Sequence, residues 1–420
     1  MKAALASGEV TPDLVDRSVM RILYAMFEHG LFDFPTSDAP MRLSDDLLAS
    51  GAEVTRQAAA ESMVLLKNDR NILPLAADAK SIVVIGGHAD RGVLAGGGSS
   101  LVYPVGGNAV PGLQPTTWPG PVMYYPSSPL EALRRRLPNA NITFVDGKDA
   151  AAAAKAAGAG DMAIVFATQW TGESFDVPLT LPDDQDALID RVAGANRNTV
   201  VVLETGGSVL TPWRTRVAGI VASWFPGTRG GEAIADVLTG AVNPSGHLPV
   251  SFIDKLTQLP HPQAPAKGEV RYTEGSVVGY RWLDSRKHKP AFPFGHGLSY
   301  SNFAFDGLNV QANGASVLAR FRVTNSGGTA GKDVAQIYVS GPGLDAPMRL
   351  GGFQKLDLDP GESLDGAVTI DPRMFANFKR ADGGWKVKGG TYRVHLAHSS
   401  RDIVSSVPVA LPAMTLPMHR

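Results

Sequence analysis

The chain has 420 residues, 44% hydrophobic and 19% charged, a composition typical of globular proteins with two or three domains. Its formal net charge is −1, from 39 basic and 40 acidic residues, so it has no cationic excess for binding nucleic acid or an anionic membrane. Cysteine is absent, which excludes disulfides, thiolate metal sites and cysteine nucleophiles.

The first predicted element is a helix from about Pro12 to His29. Thr11 can cap it, Pro12 suits its first turn, and Gly30 ends it. Its apolar residues recur at helical spacing, yet no partner element precedes it, so we expect it to be the last piece of a domain outside this chain. The opening residues lack the apolar core of a signal peptide. We therefore expect a periplasmic or secreted protein if an export signal precedes the chain, and a cytoplasmic one otherwise.

A second predicted helical stretch, at about 45–68, leads into a region where short apolar runs alternate with helical segments. Each run is nearly continuous in apolar residues, as are strands of a parallel sheet with both faces covered. The runs are 81–87, 142–145, 162–167, 199–204 and 219–224. This alternation predicts a layered α/β domain over residues 41–255.

The pattern changes after residue 255. Residues 256–299 are rich in proline, glycine and aromatic residues, which predicts a connector lying over a surface. From about residue 300 the apolar residues alternate with period two, and turn signals separate the runs. Residues 300–413 are therefore predicted to form an antiparallel β-sandwich, followed by a tail at 414–420.

Two loops are candidate ligand-binding segments, because open α/β sheets bind ligands at the carboxyl ends of their strands. The first loop follows the 81–87 run and is rich in glycine, which lets a backbone approach a ligand closely. Phosphate-binding patterns are missing from it, so a ligand loop and a simple turn remain equal alternatives. Its candidate binding residues are Gly96, Gly97, Gly98, Ser99 and Ser100.

The second loop, "QWTGESFDVP" at 169–178, holds Glu173 and Asp176 beside the rings of Trp170 and Phe175. An acid beside aromatic rings loses hydration, so we expect a raised pKa for Glu173 and a proton available for glycoside cleavage. The competing interpretation is a solvated surface carboxylate. Asp176 is the alternative acid, although its context favours a hydrogen bond that fixes the loop.

Other chemistries find little support in the sequence. His88 could contact a ligand beside the first loop or serve as a structural hydrogen-bonding residue. Neither the G-x-S-x-G pattern nor the H-E-x-x-H pattern occurs. His395 and His398 are spaced to lie on opposite faces of a strand. We therefore predict no metal site.

Seven stretches, in the same order along the chain, resemble glycoside hydrolase family 3, the β-glucosidase and β-xylosidase group. They are "AAAESMVLLKNDRNILPL", "IVVIGGHADRGVLAGGGSS", "GESFDVPLTLPDDQDALI", "SWFPGTRGGEAIADVLTGAVNPSGHLPVSF", "YTEGSVVGYRWLD", "PFGHGLSYSNFAF" and "VTNSGGTAGKDVAQIYV". The resemblance implies that 1–40 is a remnant of the catalytic barrel and its exit linker. It also implies that 41–255 is the family's α/β sandwich and that 300–413 is a fibronectin type III-like domain.

The same resemblance implies roles for individual residues. Glu173 in "GESFD" corresponds to the acid/base glutamate, with Ser174 in place of the family's usual glycine. The glycine-rich loop, Trp170 and His88 correspond to the edge of a sugar pocket. No metal or organic cofactor is implied.

The nucleophilic aspartate of the family has no counterpart in the sequence. It usually lies in a Ser-Asp-Trp-like segment of the barrel, whereas the pairs Ser37-Asp38 and Ser44-Asp45 lie in the linker. Retaining cleavage uses two carboxyl groups about 5–5.5 Å apart, so this chain is expected to supply the acid/base alone. We predict a β-glucosidase-like hydrolase of β-linked glucosides or short oligosaccharides, weakly active or inactive without its barrel.

Two alternatives remain at this point. The first is a non-catalytic carbohydrate-binding or assembly module derived from such an enzyme. The second, a nucleotide-binding α/β protein, is disfavoured because the phosphate motifs are missing. A surface that once faced a barrel should be partly apolar, so self-association or a separate barrel chain is expected.

Overall fold

The computed structural model describes residues 1–35, 43–262, 271–314, 316–380 and 383–417. The Ser37-Asp38 pair lies outside these ranges. The α-helices are α1 (Lys2–Ala6), α2 (Pro12–Glu28), α3 (Asp45–Ser62), α4 (Pro129–Arg136), α5 (Ala150–Ala159), α6 (Gln185–Ala195), α7 (Gly230–Leu238) and α8 (Tyr280–Ser285). None of the helices in the described ranges combines the length and apolar content that a membrane crossing requires.

The first nine strands are β1 (Val64–Asn68), β2 (Ser81–Ile85), β3 (Val93–Ala95), β4 (Met123–Tyr125), β5 (Asn141–Val145), β6 (Met162–Gln169), β7 (Thr199–Thr205), β8 (Gly219–Ala222) and β9 (Phe303–Asn313). They are followed by β10 (Ser316–Asn325), β11 (Gly331–Ser340), β12 (Arg349–Leu358), β13 (Ser363–Ile370), β14 (Ala376–Lys379), β15 (Gly384–Val387), β16 (Gly390–Ser399), β17 (Asp402–Leu411) and β18 (Met414–Leu416).

The chain separates into two compact units, residues 1–51 and 52–420. In the first unit, α2 begins where the sequence predicts: the Thr11 hydroxyl accepts a hydrogen bond from the Leu14 backbone N–H at 3.3 Å. Several apolar side chains of α2 are exposed, including Met20, Ile22 and Phe27. The Ser44 hydroxyl caps the start of α3 by accepting the N–H of Leu47 at 3.2 Å.

The second unit contains a six-stranded sheet in the order β1-β8-β7-β6-β2-β5. Five of its strands are parallel and coincide with the five predicted apolar runs, which confirms the α/β prediction. Successive residues of β2 point to opposite faces: Ile82 joins one buried cluster with α4 and α7, and Val83 joins the other with α5 and α6. Helices therefore cover both faces.

Strand β1 differs from the prediction, which extended the preceding helix to residue 68. The helix ends at Ser62, and β1 pairs antiparallel with β8 at the edge of the sheet. Its residues alternate between the two cores, with Val64 in one and Leu65 in the other. A helix would direct neighbouring side chains about 100° apart, so a strand serves two opposed cores better.

The β-domain is built from a three-stranded sheet, β13-β10-β9, and a four-stranded sheet, β12-β11-β16-β17. All pairs in them are antiparallel and one apolar core lies between them, which confirms the β-sandwich prediction. The predicted tail differs, because residues 414–416 form β18. This strand pairs with β15, Trp385 lying opposite Leu416.

The connector and the β-domain are tied to the α/β layers by hydrogen bonds and ion pairs. The N–H of Leu298 donates to the carbonyl of Leu65 at 2.9 Å, and a ring nitrogen of His296 lies 2.9 Å from the carbonyl oxygen of Leu66. Glu61, at the end of α3, pairs with Lys332 at 2.6 Å and with Lys355 at 3.1 Å. These contacts join the two layered parts.

A buried carboxylate joins three helices of the α/β part. Asp236 on α7 is 1% exposed and accepts hydrogen bonds from Arg56 on α3 and Arg136 on α4. Arg56 also pairs with Glu53 at 2.6 Å, and Glu53 pairs with Arg229 at 2.5 Å. Burying a carboxylate costs free energy unless it is paired, so these helices depend on the arginines.

Candidate active site

Two loops meet at the carboxyl ends of the parallel strands. Strand β3 leads directly into Gly96, while β6 ends at Gln169 and leads into the acid loop, residues 170–178. The N–H of Gly97 donates to the carbonyl of Thr171 at 2.9 Å, and Gly97 and Gly172 form a parallel bridge. The structure therefore brings together the glycine-rich loop and the acid loop, which lie about 75 positions apart in the sequence.

Close packing between these loops explains the glycines. A Cβ atom at Gly97 would lie 2.4 Å from the Trp170 ring and 2.4 Å from the carbonyl oxygen of Pro119. At Gly98, where φ is +87°, it would lie 2.4 Å from the Cβ of Glu173. Both distances are far below van der Waals contact, so a side chain at either position would push the loops apart. The acid loop therefore approaches these glycines closely, and the predicted approach of a ligand stays a prediction.

Glu173 stands against the glycine-rich loop with its side chain exposed. One carboxylate oxygen, Oε2, accepts a hydrogen bond from the backbone N–H of Ser99 at 2.9 Å. Hydrogen bonds from the Ser99 hydroxyl and N–H hold the pKa of Glu173 below its ordinary value, because they favour the charged form.

The expectation of a raised pKa for Glu173 is therefore wrong for this chain. The rings of Trp170 and Phe175 lie 5.6 Å apart, centroid to centroid, and pack on each other. The carboxyl group remains in water, so the desolvation that would favour its protonated form is small.

The titration of Glu173 can be measured by carboxyl ¹³C NMR on the isolated chain. We expect a midpoint below 4.5, the ordinary value for glutamate. Ser99→Ala removes the hydroxyl donor but keeps the backbone N–H, so it should raise the midpoint part of the way. Because the folded-state pKa is depressed, this contact stabilises the fold above the unfolded pKa and is lost as pH falls through the folded value.

Ser100→Ala is the matched control for that titration, because Ser100 is exposed and adjacent and makes no hydrogen bond to Glu173 within the described ranges. It should leave the midpoint unchanged. A wild-type midpoint above 4.5 would contradict the described contact.

Ser174 adopts the backbone conformation that glycine favours. Its φ is +60°, in the left-handed region that costs an ordinary residue about 1–2 kcal/mol. The loop thus keeps a glycine-like turn although serine occupies the position. This turn directs Glu173 toward Ser99 while the N–H of Phe175 donates to the carbonyl of Gly172 at 3.0 Å.

The other acid-loop residues have different surroundings. Asp176 is exposed, and its side chain has no hydrogen-bond partner among the described residues. The predicted loop-fixing hydrogen bond of Asp176 is therefore wrong for the part of the chain that the structure describes. Trp170 is partly buried on a small cluster that includes Leu94 and Tyr124. The Trp170 ring packs against Gly97 of the glycine-rich loop.

His88 lies in a different cleft. Its ring packs edge-on against Tyr124 at 5.0 Å, and burial lowers its pKa. The cleft, about 430 Å³ in volume, is formed at the ends of β2, β5 and β6 and is also lined by Asp146 and Thr168. Glu173 and the glycine-rich loop are not among the described residues that line it.

Two residues at this site were not predicted from the sequence. Pro119 accepts a hydrogen bond from the N–H of Gly98 at 2.6 Å, and nothing in the sequence pairs these positions. Glu204 is the penultimate residue of β7 and is fully buried, and its Oε2 accepts the N–H of Leu94 at 2.7 Å. A charged residue inside an otherwise apolar run is a signal that could have found it.

Two family models match the chain. The model of the glycosyl hydrolase family 3 C-terminal domain matches residues 63–300, and that of a fibronectin type III-like domain matches residues 333–400. The first match covers more than half of the chain. The two matches follow one another in the order of the α/β part and the β-sandwich.

Two curated relatives match nearly the whole chain. Thermostable beta-glucosidase B of Acetivibrio thermocellus is 35% identical over 433 residues, covering 96% of this chain and 53% of the relative. Exo-alpha-(1->6)-L-arabinopyranosidase of Bifidobacterium longum is 36% identical over 439 residues, covering 97% and 54%. The chain thus spans about half the length of the curated relatives it matches.

A solved structure supports the same comparison. The GH3 beta-glucosidase of Bifidobacterium adolescentis superposes with a TM-score of 0.82 at 32% identity, covering 99% of this chain and 61% of that chain. The shared region includes both the α/β layers and the β-sandwich.

Proposed function

The chain belongs to glycosyl hydrolase family 3, and from this premise we propose that it provides the acid/base half of a retaining β-glucosidase. The hydrogen-bonded pairing of the glycine-rich and acid loops, which presents the Glu173 carboxyl at an open edge, carries this proposal. The proposed substrates are β-linked glucosides or short oligosaccharides. The proposed partner is a barrel domain that bears the attacking aspartate.

In the proposed reaction, the barrel aspartate attacks the anomeric carbon while Glu173 protonates the departing glycosidic oxygen. Water then attacks the glycosyl-enzyme intermediate, and Glu173 takes its proton as the sugar leaves the aspartate. Two carboxyl groups close together raise one of their pKa values, and covering the site removes water. Docking of a barrel is therefore expected to reverse the lowered pKa of Glu173 and make its carboxyl a proton donor.

Reconstitution tests this function. The chain alone should hydrolyse aryl β-glucosides at close to the uncatalysed rate, because retaining cleavage needs a nucleophile. Mixing it with the unmatched N-terminal half of the Acetivibrio thermocellus relative, or fusing the two, should produce turnover. The Glu173→Gln chain in the same mixture is the matched control and should turn over about 10²-fold or more slowly than the mixture with the unchanged chain. Ordinary turnover by the isolated chain would overturn the proposal.

The sugar can be determined in the same assay. One relative is a beta-glucosidase and another is an exo-alpha-(1->6)-L-arabinopyranosidase, so aryl β-glucoside and aryl α-L-arabinopyranoside should be compared side by side. Calorimetry with glucose and cellobiose on the isolated chain tests the alternative function. Sugar binding without restored hydrolysis would favour a carbohydrate-binding module.

A further inference from the structure

A buried glutamate lies beneath both loops of the site. Glu204 is at the carboxyl end of β7, opposite Thr168 in the register with β6, and its side chain is 0% exposed. The acid loop begins two residues after Thr168. A carboxyl group in such a position costs free energy unless it makes a compensating interaction.

That interaction is made with the strand that enters the glycine-rich loop. The N–H of Leu94 donates to Oε2 of Glu204 at 2.7 Å, in a buried environment. Two residues later the chain reaches Gly96. An apolar side chain at position 204 would leave the Leu94 N–H buried and unpaired, which would destabilise the folded state. Glu204 therefore fixes the point from which the glycine-rich loop departs.

The backbone that follows Glu204 also touches the acid loop. A Cβ atom at Gly206 would lie 2.4 Å from the hydroxyl oxygen of Thr171 and 2.9 Å from the Phe225 ring. Thr171 is the residue whose carbonyl accepts the N–H of Gly97. One strand end thus contacts the glycine-rich loop through the Glu204 side chain and the acid loop through Gly206.

We propose that Glu204 is a positioning residue for Glu173, acting through Leu94 and the glycine-rich loop; this inference rests on the proposed function. It holds Leu94 so that Gly97 stays in register with Gly172 and the Ser99 N–H reaches the Glu173 carboxylate. Glu204 does not touch the sugar in this role.

The protonation state of Glu204 agrees with the role. Burial raises its pKa to about 8, so the carboxyl is mostly protonated at neutral pH. Its second oxygen, Oε1, has no hydrogen-bond partner in the described part of the chain. A neutral carboxylic acid and a glutamine amide have similar shape, and each can accept the Leu94 N–H through an oxygen.

Two substitutions separate positioning from bulk stability. Glu204→Gln keeps an acceptor for Leu94, whereas Glu204→Met fills similar space without one. We expect Glu204→Met to speed hydrogen exchange of the Leu94 amide about tenfold or more. It should also shift the NMR midpoint of Glu173 upward toward 4.5. Glu204→Gln should keep both values close to those of the wild type.

Thr211→Val is the control for a polar-to-apolar change at another buried position, because the Thr211 hydroxyl is also buried and unpartnered within the described ranges. It should leave the Leu94 exchange rate and the Glu173 midpoint unchanged. The inference is overturned if Glu204→Met leaves the Glu173 midpoint in place, or if Thr211→Val moves it equally.

A wild-type measurement keeps the test decisive if Glu204→Met does not fold. The ¹⁵N shift of the Leu94 amide should titrate with a midpoint near 8, the pKa of its acceptor. Tyr124 lies opposite Leu94 in the register of β3 and β4, and His88 packs on the Tyr124 ring. The pKa of Tyr124 is raised above 10 and that of His88 is lowered below 6.5. A Leu94 amide shift that stays constant while the Glu204 carboxyl itself titrates would overturn the inference.

These readouts do not depend on sugar cleavage. If they succeed while reconstitution gives no hydrolysis, the proposed function fails and the link from Glu204 to Glu173 stands. In a reconstituted active enzyme, Glu204→Met should lower kcat with little change in KM, and Glu204→Gln should restore kcat. Full kcat in Glu204→Met would refute positioning even if the proposed function is correct.

Discussion

Glu173→Gln in the reconstituted enzyme is expected to lower kcat about 10²–10⁴-fold, the range that general acid–base catalysis contributes. Glutamine keeps the shape of the side chain and can still accept the Ser99 N–H, so the loop should hold its place. It cannot donate a proton to the leaving oxygen. The loss should therefore appear in catalysis rather than in folding, which thermal unfolding of the variant can check.

The leaving group provides a sharper test of the same residue. Glycosides with poor leaving groups need protonation most, so cellobiose should lose far more rate than dinitrophenyl β-glucoside. Asp176→Asn is the matched control, since Asp176 is an exposed carboxylate in the same loop. If Asp176→Asn abolishes turnover and Glu173→Gln does not, the acid/base assignment is wrong.

Arg56→Met is expected to destabilise the chain by about 1.5–3 kcal/mol, the usual contribution of a hydrogen bond to a charged group. It leaves Asp236, which is 1% exposed, with Arg136 as its remaining arginine partner among those described. The arginine also bridges to Glu53, so α3 loses one polar attachment to α7 and keeps the Glu53–Arg229 pair at the start of that helix. Chemical denaturation monitored by circular dichroism measures the free energy of unfolding.

The same substitution on the surface is the control. Arg322 pairs with Asp365, and their side chains are 54% and 73% exposed. Exposed pairs contribute about 0–1 kcal/mol, so Arg322→Met should have little effect. Equal losses from the two substitutions would show that burial of Asp236 does not determine the stability of this network.

The parallel core of the fold could be predicted because its signal is local. Each of the five runs is apolar along its length, as strands covered on both faces must be. The edge strand β1 was missed because "VLLKN" directly continues a helical pattern. Its alternation between two cores is visible once the helices on both faces are placed.

The position of the acid loop after β6 could also be predicted from the sequence, but the electrostatics of Glu173 could not. Glu173 is surrounded by aromatic residues along the chain, which predicts a raised pKa. In space it accepts hydrogen bonds from Ser99, 74 positions away. A hydrogen bond between two loops that lie far apart in the chain cannot be recognised from the local sequence of either loop.

The buried support of the site shows the same limit. Glu204 stands at the end of an apolar strand, and the partner that justifies it is the backbone of Leu94, 110 positions away. Backbone groups carry no sequence signature. Glu204 can be recognised in the sequence as an unusual charged residue, but its contact with Leu94 can be recognised only in the structure.

The link between β1 and the connector has a consequence for cooperativity. Leu65 and Leu66 of this edge strand use their carbonyl groups to bind the connector, and Glu61 reaches two lysines of the β-domain. The β-domain is therefore bonded to the α/β part and is not expected to unfold independently of it. Unfolding of either part removes hydrogen-bond and ion-pair partners from the other. The unit formed by residues 52–420 should therefore unfold in a single calorimetric transition.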